Sequence, residues 1–165
     1  MDGTNIAKVN KNQANLLREI RLKLLKENPL TYGERYETIK RKPLSYFKSW
    51  IERSSNPDTG IFLIFKGREV IGMREIRRYN KDPKIGYFGN SGILKEYQNQ
   101  GVGKNLQDFT FGWIKKNTNF KKIVIIVRKH NKKYLKFAKR YGFKIFEEGK
   151  YRGIPEFYLE KTIIK

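Results

Sequence analysis

Apolar residues recur at Leu17, Ile20 and Leu24, a spacing that puts one stripe on a helix of about fifteen residues ended by Pro29. Ahead of it, Ile6 and Val9 carry a faint strand signal. From Pro29 to Lys42 the chain is polar and aromatic, with Tyr32, Gly33 and Tyr36, and reads as a loop or a broken helix. Pro43 suits the first turn of a second helix whose Leu44, Phe47 and Ile51 share a face. The turn formers of Ser54-Ser55-Asn56-Pro57-Asp58-Thr59-Gly60 end it.

After Gly60 the period changes. Ile61 to Phe65 is a continuous apolar run, Lys66-Gly67-Arg68-Glu69 reads as a hairpin turn, and Val70 to Ile76 is a second strand. Asn80 to Lys84 supplies another turn. Ile85 to Leu94 is a third strand, interrupted by Gly89-Asn90-Ser91-Gly92, and glycines there predict a bulge or another group lying against the backbone. Val102, Leu106, Phe109 and Trp113 then mark one face of a helix. Ile123 to Val127 reads as a buried strand, Asn131 to Tyr141 as a short helix ended by Gly142, and Phe143–Phe146 with Phe157–Ile164 as a closing hairpin. The predicted order is two helices, three strands, helix, strand, helix, two strands.

The stretch with chemistry is Gln98-Asn99-Gln100-Gly101-Val102-Gly103-Lys104, which opens the third long helix. Two glycines in a first turn cost roughly 0.5–1 kcal/mol each relative to alanine, and Lys104 sits where the helix dipole disfavours a cation. An anion docked on the free backbone N–H groups turns this poor start into a good one; a simple tight turn is the plainer alternative. The Walker pattern fails because Gln98 stands where its first glycine belongs. The dinucleotide fingerprint fails at Leu106, and Lys121 and Lys122 stand near the position of its acidic residue.

Composition narrows the classes. At 165 residues the chain suits one domain over 1–165 with a core that needs no staples. It has no cysteine and one histidine, which excludes disulfides and thiol nucleophiles and leaves no metal site to expect. No run approaches the roughly 20 apolar residues of a membrane span, and no signal-like segment opens the sequence, so the expected location is cytoplasmic and no membrane partner is expected. The net charge of +21 comes from 37 Lys and Arg spread along the whole chain. A solvated basic surface explains it, and so does a polyanionic partner; nucleic acid stays open only through bulk charge.

The pattern Gln-x-x-Gly-x-Gly after a strand resembles the coenzyme A pyrophosphate loop of the GNAT superfamily of N-acetyltransferases. Two further matches accompany it: Asn131 with Gly142-Phe143 downstream, and Pro29 followed by Tyr32-Gly33 after a Leu- and Arg-rich helix. The resemblance spans nearly the whole chain and is strongest from Ile61 to Phe143. It implies an α/β (α+β) fold: a mixed, mostly antiparallel central sheet of about six to seven strands with one parallel, splayed pair, flanked by about four helices. It also implies acetyl-CoA as co-substrate. Pantetheine would lie along Ser91, Gly92 and Ile93, accounting for the glycines at 89 and 92, and the pyrophosphate on Gln98, Asn99, Gln100, Gly101, Val102, Gly103 and Lys104. Asn131 would orient pantetheine, and a backbone N–H near Ile93 would serve the developing oxyanion.

The implied reaction is acetyl transfer to a primary amine, a small molecule or a peptide, by direct attack in a ternary complex. The family often uses a Tyr seven residues after the Asn to protonate the leaving sulfur, and this chain has Ala138 there. Tyr134 and Tyr141 flank Ala138 at helical spacing, and either phenol can reach that face or simply pack. Glu75 is the candidate base and His130 a weaker one, with solvent-facing roles as the plain alternatives. Glu34, Glu37, Glu147, Glu148 and Glu156 fall in segments that wall the acceptor site in this family, which predicts an acidic pocket for a cationic amine. A catalytically degenerate binding module, or a basic RNA-associated protein, is the rival class. The sequence does not indicate an oligomeric state.

Overall fold

The computed structural model describes residues 3–165. Among them, seven strands form one sheet in the order β1-β2-β3-β4-β5-β7-β6. The strands are β1 (Thr4–Lys8), β2 (Gly60–Lys66), β3 (Glu69–Arg78), β4 (Ile85–Ile93), β5 (Lys122–Arg128), β6 (Lys144–Tyr151) and β7 (Ile154–Thr162). All neighbours are antiparallel except β4 and β5. The helices are α1 (Ala14–Glu27), α2 (Tyr36–Lys40), α3 (Leu44–Arg53), α4 (Val102–Asn117) and α5 (Lys132–Arg140).

The faint strand around Ile6 is real: β1 pairs with β2, and the Val9 N–H extends the contact by donating to the Ile61 carbonyl at 2.8 Å. The segment after Pro29 holds one helix more than expected, α2, whose single turn buries Ile39. That turn lacks a repeating stripe, so periodicity did not reveal it.

The sheet is covered on both faces, which is why β2 reads as an unbroken apolar run. Ile61 and Leu63 pack with Leu17, Ile20 and Leu24 of α1 and Phe47 and Ile51 of α3. Phe62 instead joins Ile114 of α4, Ala138 of α5 and Leu159 of β7. Val102 and Leu106 of α4 sit on Ile64 and Ile71. α4 ends at Thr118, whose N–H and hydroxyl both return to the Ile114 carbonyl, at 3.0 and 2.9 Å.

Two irregularities shape the middle of the sheet. β4 and β5 pair only through Ile85–Lys122, Gly86–Ile123 and Tyr87–Val124, and beyond those pairs each strand keeps only its outer neighbour. β4 also carries the predicted bulge: Asn90 and Ser91 lie opposite Arg74 alone, and Asn90 takes a left-handed φ of 50°. The parted strands and the bulge coincide with the glycine-rich stretch of β4.

Candidate functional site

α4 starts at the mouth of the parted strands. Gly101 precedes it with φ 85°, a conformation that favours glycine, and Asn99 is left-handed as well at φ 60°. Among the described residues no side chain caps the helix, and its first turn holds no acid. The amides of Val102, Gly103 and Lys104 therefore point out without intrahelical partners, while Val102 anchors the turn from below by burial. Such an uncapped start is the kind of arrangement that suits an anion.

The polar side chains around the loop are largely committed to the protein. Gln98 donates from Nε2 to the Ile93 carbonyl at 2.9 Å and accepts from Lys133 at 3.2 Å, so it braces β4 against α5. Gln100 donates to the Glu96 carbonyl at 2.8 Å. Lys104 has its own counter-charge in Asp108, 2.6 Å away and one turn on. What the loop presents to a ligand is thus mainly backbone. Asn131 caps α5, its Oδ1 accepting from the Tyr134 N–H at 3.2 Å, which leaves its Nδ2 group uncommitted to the cap.

The two candidate tyrosines separate. Tyr141 packs on Phe137 with ring centres 4.8 Å apart and lies in electrostatic reach of Lys104, beside the glycine loop. Tyr134 also stacks on Phe137, with ring centres 6.2 Å apart, and lies in electrostatic reach of the guanidinium of Arg74, the residue opposite the bulge. Ala138, where the family's usual Tyr would stand, is buried in the core at 1% exposure.

Arg74 was not singled out from the sequence, although two adjacent charges in the apolar strand Met73-Arg74-Glu75-Ile76 were a signal. Its side chain is buried and ties three elements together. Nε donates to Ser91 Oγ on β4 at 3.0 Å; one terminal nitrogen donates to Gln107 Oε1 and, at 3.0 Å, to Thr110 Oγ1, both on α4. The plane lies 4.3 Å over the Phe88 ring. Burial pulls the Arg74 pKa down from its usual value, and the contact with Tyr134 opposes that.

Tyr32, also unassigned in advance, reaches the bulge from the α1 face, its hydroxyl donating to the Ser91 carbonyl at 2.9 Å. Burial, only partly offset by Arg21 over the ring at 4.6 Å, pushes the phenol up to about 12. This contact gives Gly92 a reason of its own within the protein: a Cβ there would run into the Tyr32 hydroxyl and lie 2.8 Å from Leu24 Cδ2. At Gly89 the Tyr87 ring, 2.8 Å from a Cβ, does the same. Gly92→Ala is expected to cost about 1–3 kcal/mol in chemical denaturation through overpacking. Combining it with Tyr32→Phe should recover part of that cost, and strictly additive losses would show that the hydroxyl is not the obstacle.

Glu75 is buried on the α3 side of the sheet. Trp50 Nε1 and Ser54 Oγ donate to one of its oxygens at 3.1 Å each, and Asn90 Nδ2 donates to the other at 2.7 Å. Three of roughly four lone-pair sites are filled and the carboxylate is fixed in place. It floors a cavity of about 580 Å³ whose mouth carries Glu34, Arg53, Arg77, Arg78 and Lys81. His130 is exposed and lies outside this lining.

The expected acidic wall does not form here. Of the five carboxylates predicted to build it, only Glu34 lines the cavity, and the buried Arg21 holds it at 2.9 Å. Glu156 is buried against Arg128 at 2.6 Å and Glu148 pairs with Lys129 at 2.8 Å. Glu147 is exposed on the edge strand β6, and Glu37 is exposed in the first turn of α2. In a chain this basic, most carboxylates find a cation before they meet a ligand. Among the described residues no group of three or more His, Cys, Asp or Glu is placed to hold a metal ion, and no helix is long and apolar enough to cross a membrane.

Compared with known proteins, residues 22–143 match the model of the acetyltransferase (GNAT) family. No curated protein matches the sequence. Among solved structures, the acetyltransferase of GNAT family from Streptococcus pneumoniae aligns with a TM-score of 0.81 at 19% identity, over 97% of this chain and 99% of that one. The ribosomal-protein-S5-alanine acetyltransferase from Vibrio fischeri aligns at 0.80 and 15% identity, over 99% and 94%. yncA from Salmonella typhimurium, solved with its cofactor acetyl-CoA, aligns at 0.77 and 12% identity, over 99% and 95%. At these identities the likeness speaks for the fold.

Proposed function

This chain belongs to the acetyltransferase (GNAT) family, and from that premise we propose that it moves the acetyl group of acetyl-CoA to a primary amine by direct attack in a ternary complex. The observation that carries the reading is the uncapped start of α4 beside the place where β4 and β5 part. Unpartnered amides at Val102, Gly103 and Lys104, with bare Cα atoms at 101 and 103, suit the two phosphates of a pyrophosphate. When bound, the co-substrate supplies the thioester carbon: an N–C bond forms, the C–S bond breaks, the amine loses a proton and the sulfur gains one.

The chain's own residues take the remaining roles. The β4 backbone at Ser91, Gly92 and Ile93, on the side β5 leaves open, lines the pantetheine arm, with the Asn131 Nδ2 group beside it. Asn99 and Gln100 shape the loop and contribute main-chain groups. Glu75, fixed by its three donors, keeps one lone-pair site for the acceptor's ammonium proton and serves as base. Tyr134, against Arg74 and next to the bulge, is the proton donor to sulfur; Tyr141 is a packing residue beside the loop.

Steady-state kinetics of two conservative variants tests these roles. Tyr134→Phe should lower kcat by about 10²-fold, the usual size of a lost general acid, with little change in KM for acetyl-CoA. Tyr141→Phe should keep kcat within about a factor of three. Wild-type rates in Tyr134→Phe would remove that phenol from the reaction.

A further inference from the structure

The cavity over Glu75 has an unusual charge balance for a site that receives an amine. Four cations line it, Arg53, Arg77, Arg78 and Lys81, against two carboxylates, Glu34 and Glu75. Adding the outer partners Arg21 and Asp58 leaves the excess unchanged. The carboxylates are also occupied. Glu75 accepts three hydrogen bonds, and Glu34 pairs with Arg21, a side chain 1% exposed whose Nε and second terminal nitrogen have no partner among the described residues.

The cations divide by commitment. Arg78 is held by Asp58 through two bonds of 2.7 and 3.2 Å, and Arg77 lies 4.8 Å over the Tyr87 ring and 3.9 Å from Glu75. The side chains of Arg53 and Lys81 form no hydrogen bond or ion pair among the described residues. Lys81 stands at the rim in a left-handed conformation, φ 63°, following Asn80 at φ 50°. Two successive non-glycine residues in that region are costly, of order 1 kcal/mol or more each, and here the turn brings a free ammonium to the cavity mouth.

Resting on the acetyl-transfer reading, we propose that the acceptor is a compact amine that also bears an acidic group, a carboxylate or a phosphate. Its ammonium nitrogen meets the remaining lone pair of Glu75, and its acid lies at Arg53 and Lys81. A purely cationic amine meets the same excess of positive charge as a repulsion. Because the two free cations are exposed, the preference is screened and weakens as salt rises.

The test measures binding and turnover on the same pairs. An α-amino acid is compared with its methyl ester, glucosamine 6-phosphate with glucosamine, and spermidine serves as the cationic control. Calorimetry on the protein saturated with coenzyme A reads binding without chemistry. At low salt, one acid form should bind about tenfold more tightly than its neutral counterpart, an advantage that shrinks with added salt; the pair that responds tells carboxylate from phosphate. In the double variant Arg53→Gln/Lys81→Gln the acid-to-neutral ratio should fall toward one. Neutral forms that bind as well as the acids in both pairs, or spermidine that binds as well as or better than the tighter acid, overturn the proposal, whatever the turnover. Acid-selective binding with no thiol release from acetyl-CoA for any acceptor would support the pocket and defeat the enzymatic reading instead.

Discussion

Gly103→Glu should lose acetyl-CoA binding by at least about a hundredfold in calorimetry, the scale of like charges brought to contact distance, while the protein without ligand becomes more stable. The two effects have opposite signs because they have separate causes. Gly103 is the second residue of α4, and a Cβ there would meet nothing closer than the Phe137 ring at 3.4 Å. Replacing glycine in a helix and adding an acid to its first turn each favour the helix, together by roughly 1 kcal/mol. The same carboxylate stands where the pyrophosphate is read to sit. Gly101→Glu would confuse the two effects, since φ 85° strains any side chain at that position. A folded Gly103→Glu protein with unchanged affinity would move the anion site elsewhere.

Arg74→Ala should cost about 3–5 kcal/mol of stability, measured by chemical denaturation. The substitution removes a large buried side chain and strands the polar atoms of Ser91, Gln107 and Thr110 that it joins. Among the described residues no carboxylate is hydrogen-bonded to this guanidinium; neutral oxygens and the Phe88 face hold it. Arg74→Lys should recover only part of the loss, because an ammonium lacks the planar fork that reaches β4 and α4 at once. A loss below about 1 kcal/mol in Arg74→Ala would mean that the bulge and α4 hold together without this link.

Much of the scaffold was legible because its signals are local. The stripe Val102, Leu106, Phe109, Trp113 predicted α4, and Val102 and Leu106 are buried. Phe109 and Trp113 stay half-buried at the sheet end, edge-on to Phe62. The glycines of β4 announced the bulge, and the space a Cβ would take at 89 and 92 is filled by the protein's own Tyr87, Tyr32 and Leu24. The illegible features are joined across long separations. Glu75 draws donors from 25, 21 and 15 positions away, and Tyr32 reaches Ser91 across 59. Periodicity carries no information about such pairings. The carboxylates expected to form an acidic wall are dispersed for a related reason: segment position predicted where they would fall, but not which cations would claim them.

The central claim, that this chain is an acetyltransferase acting on amines rather than a binding module of the same fold, is tested most directly by following thiol release from acetyl-CoA and the mass of the acceptor in one reaction. The account predicts one thiol freed for each acetyl group gained by an amine, and neither product from Gly103→Glu. Acetyl-CoA bound by the wild-type protein, with no thiol freed and no acceptor acetylated across acidic, neutral and cationic amines, would contradict it.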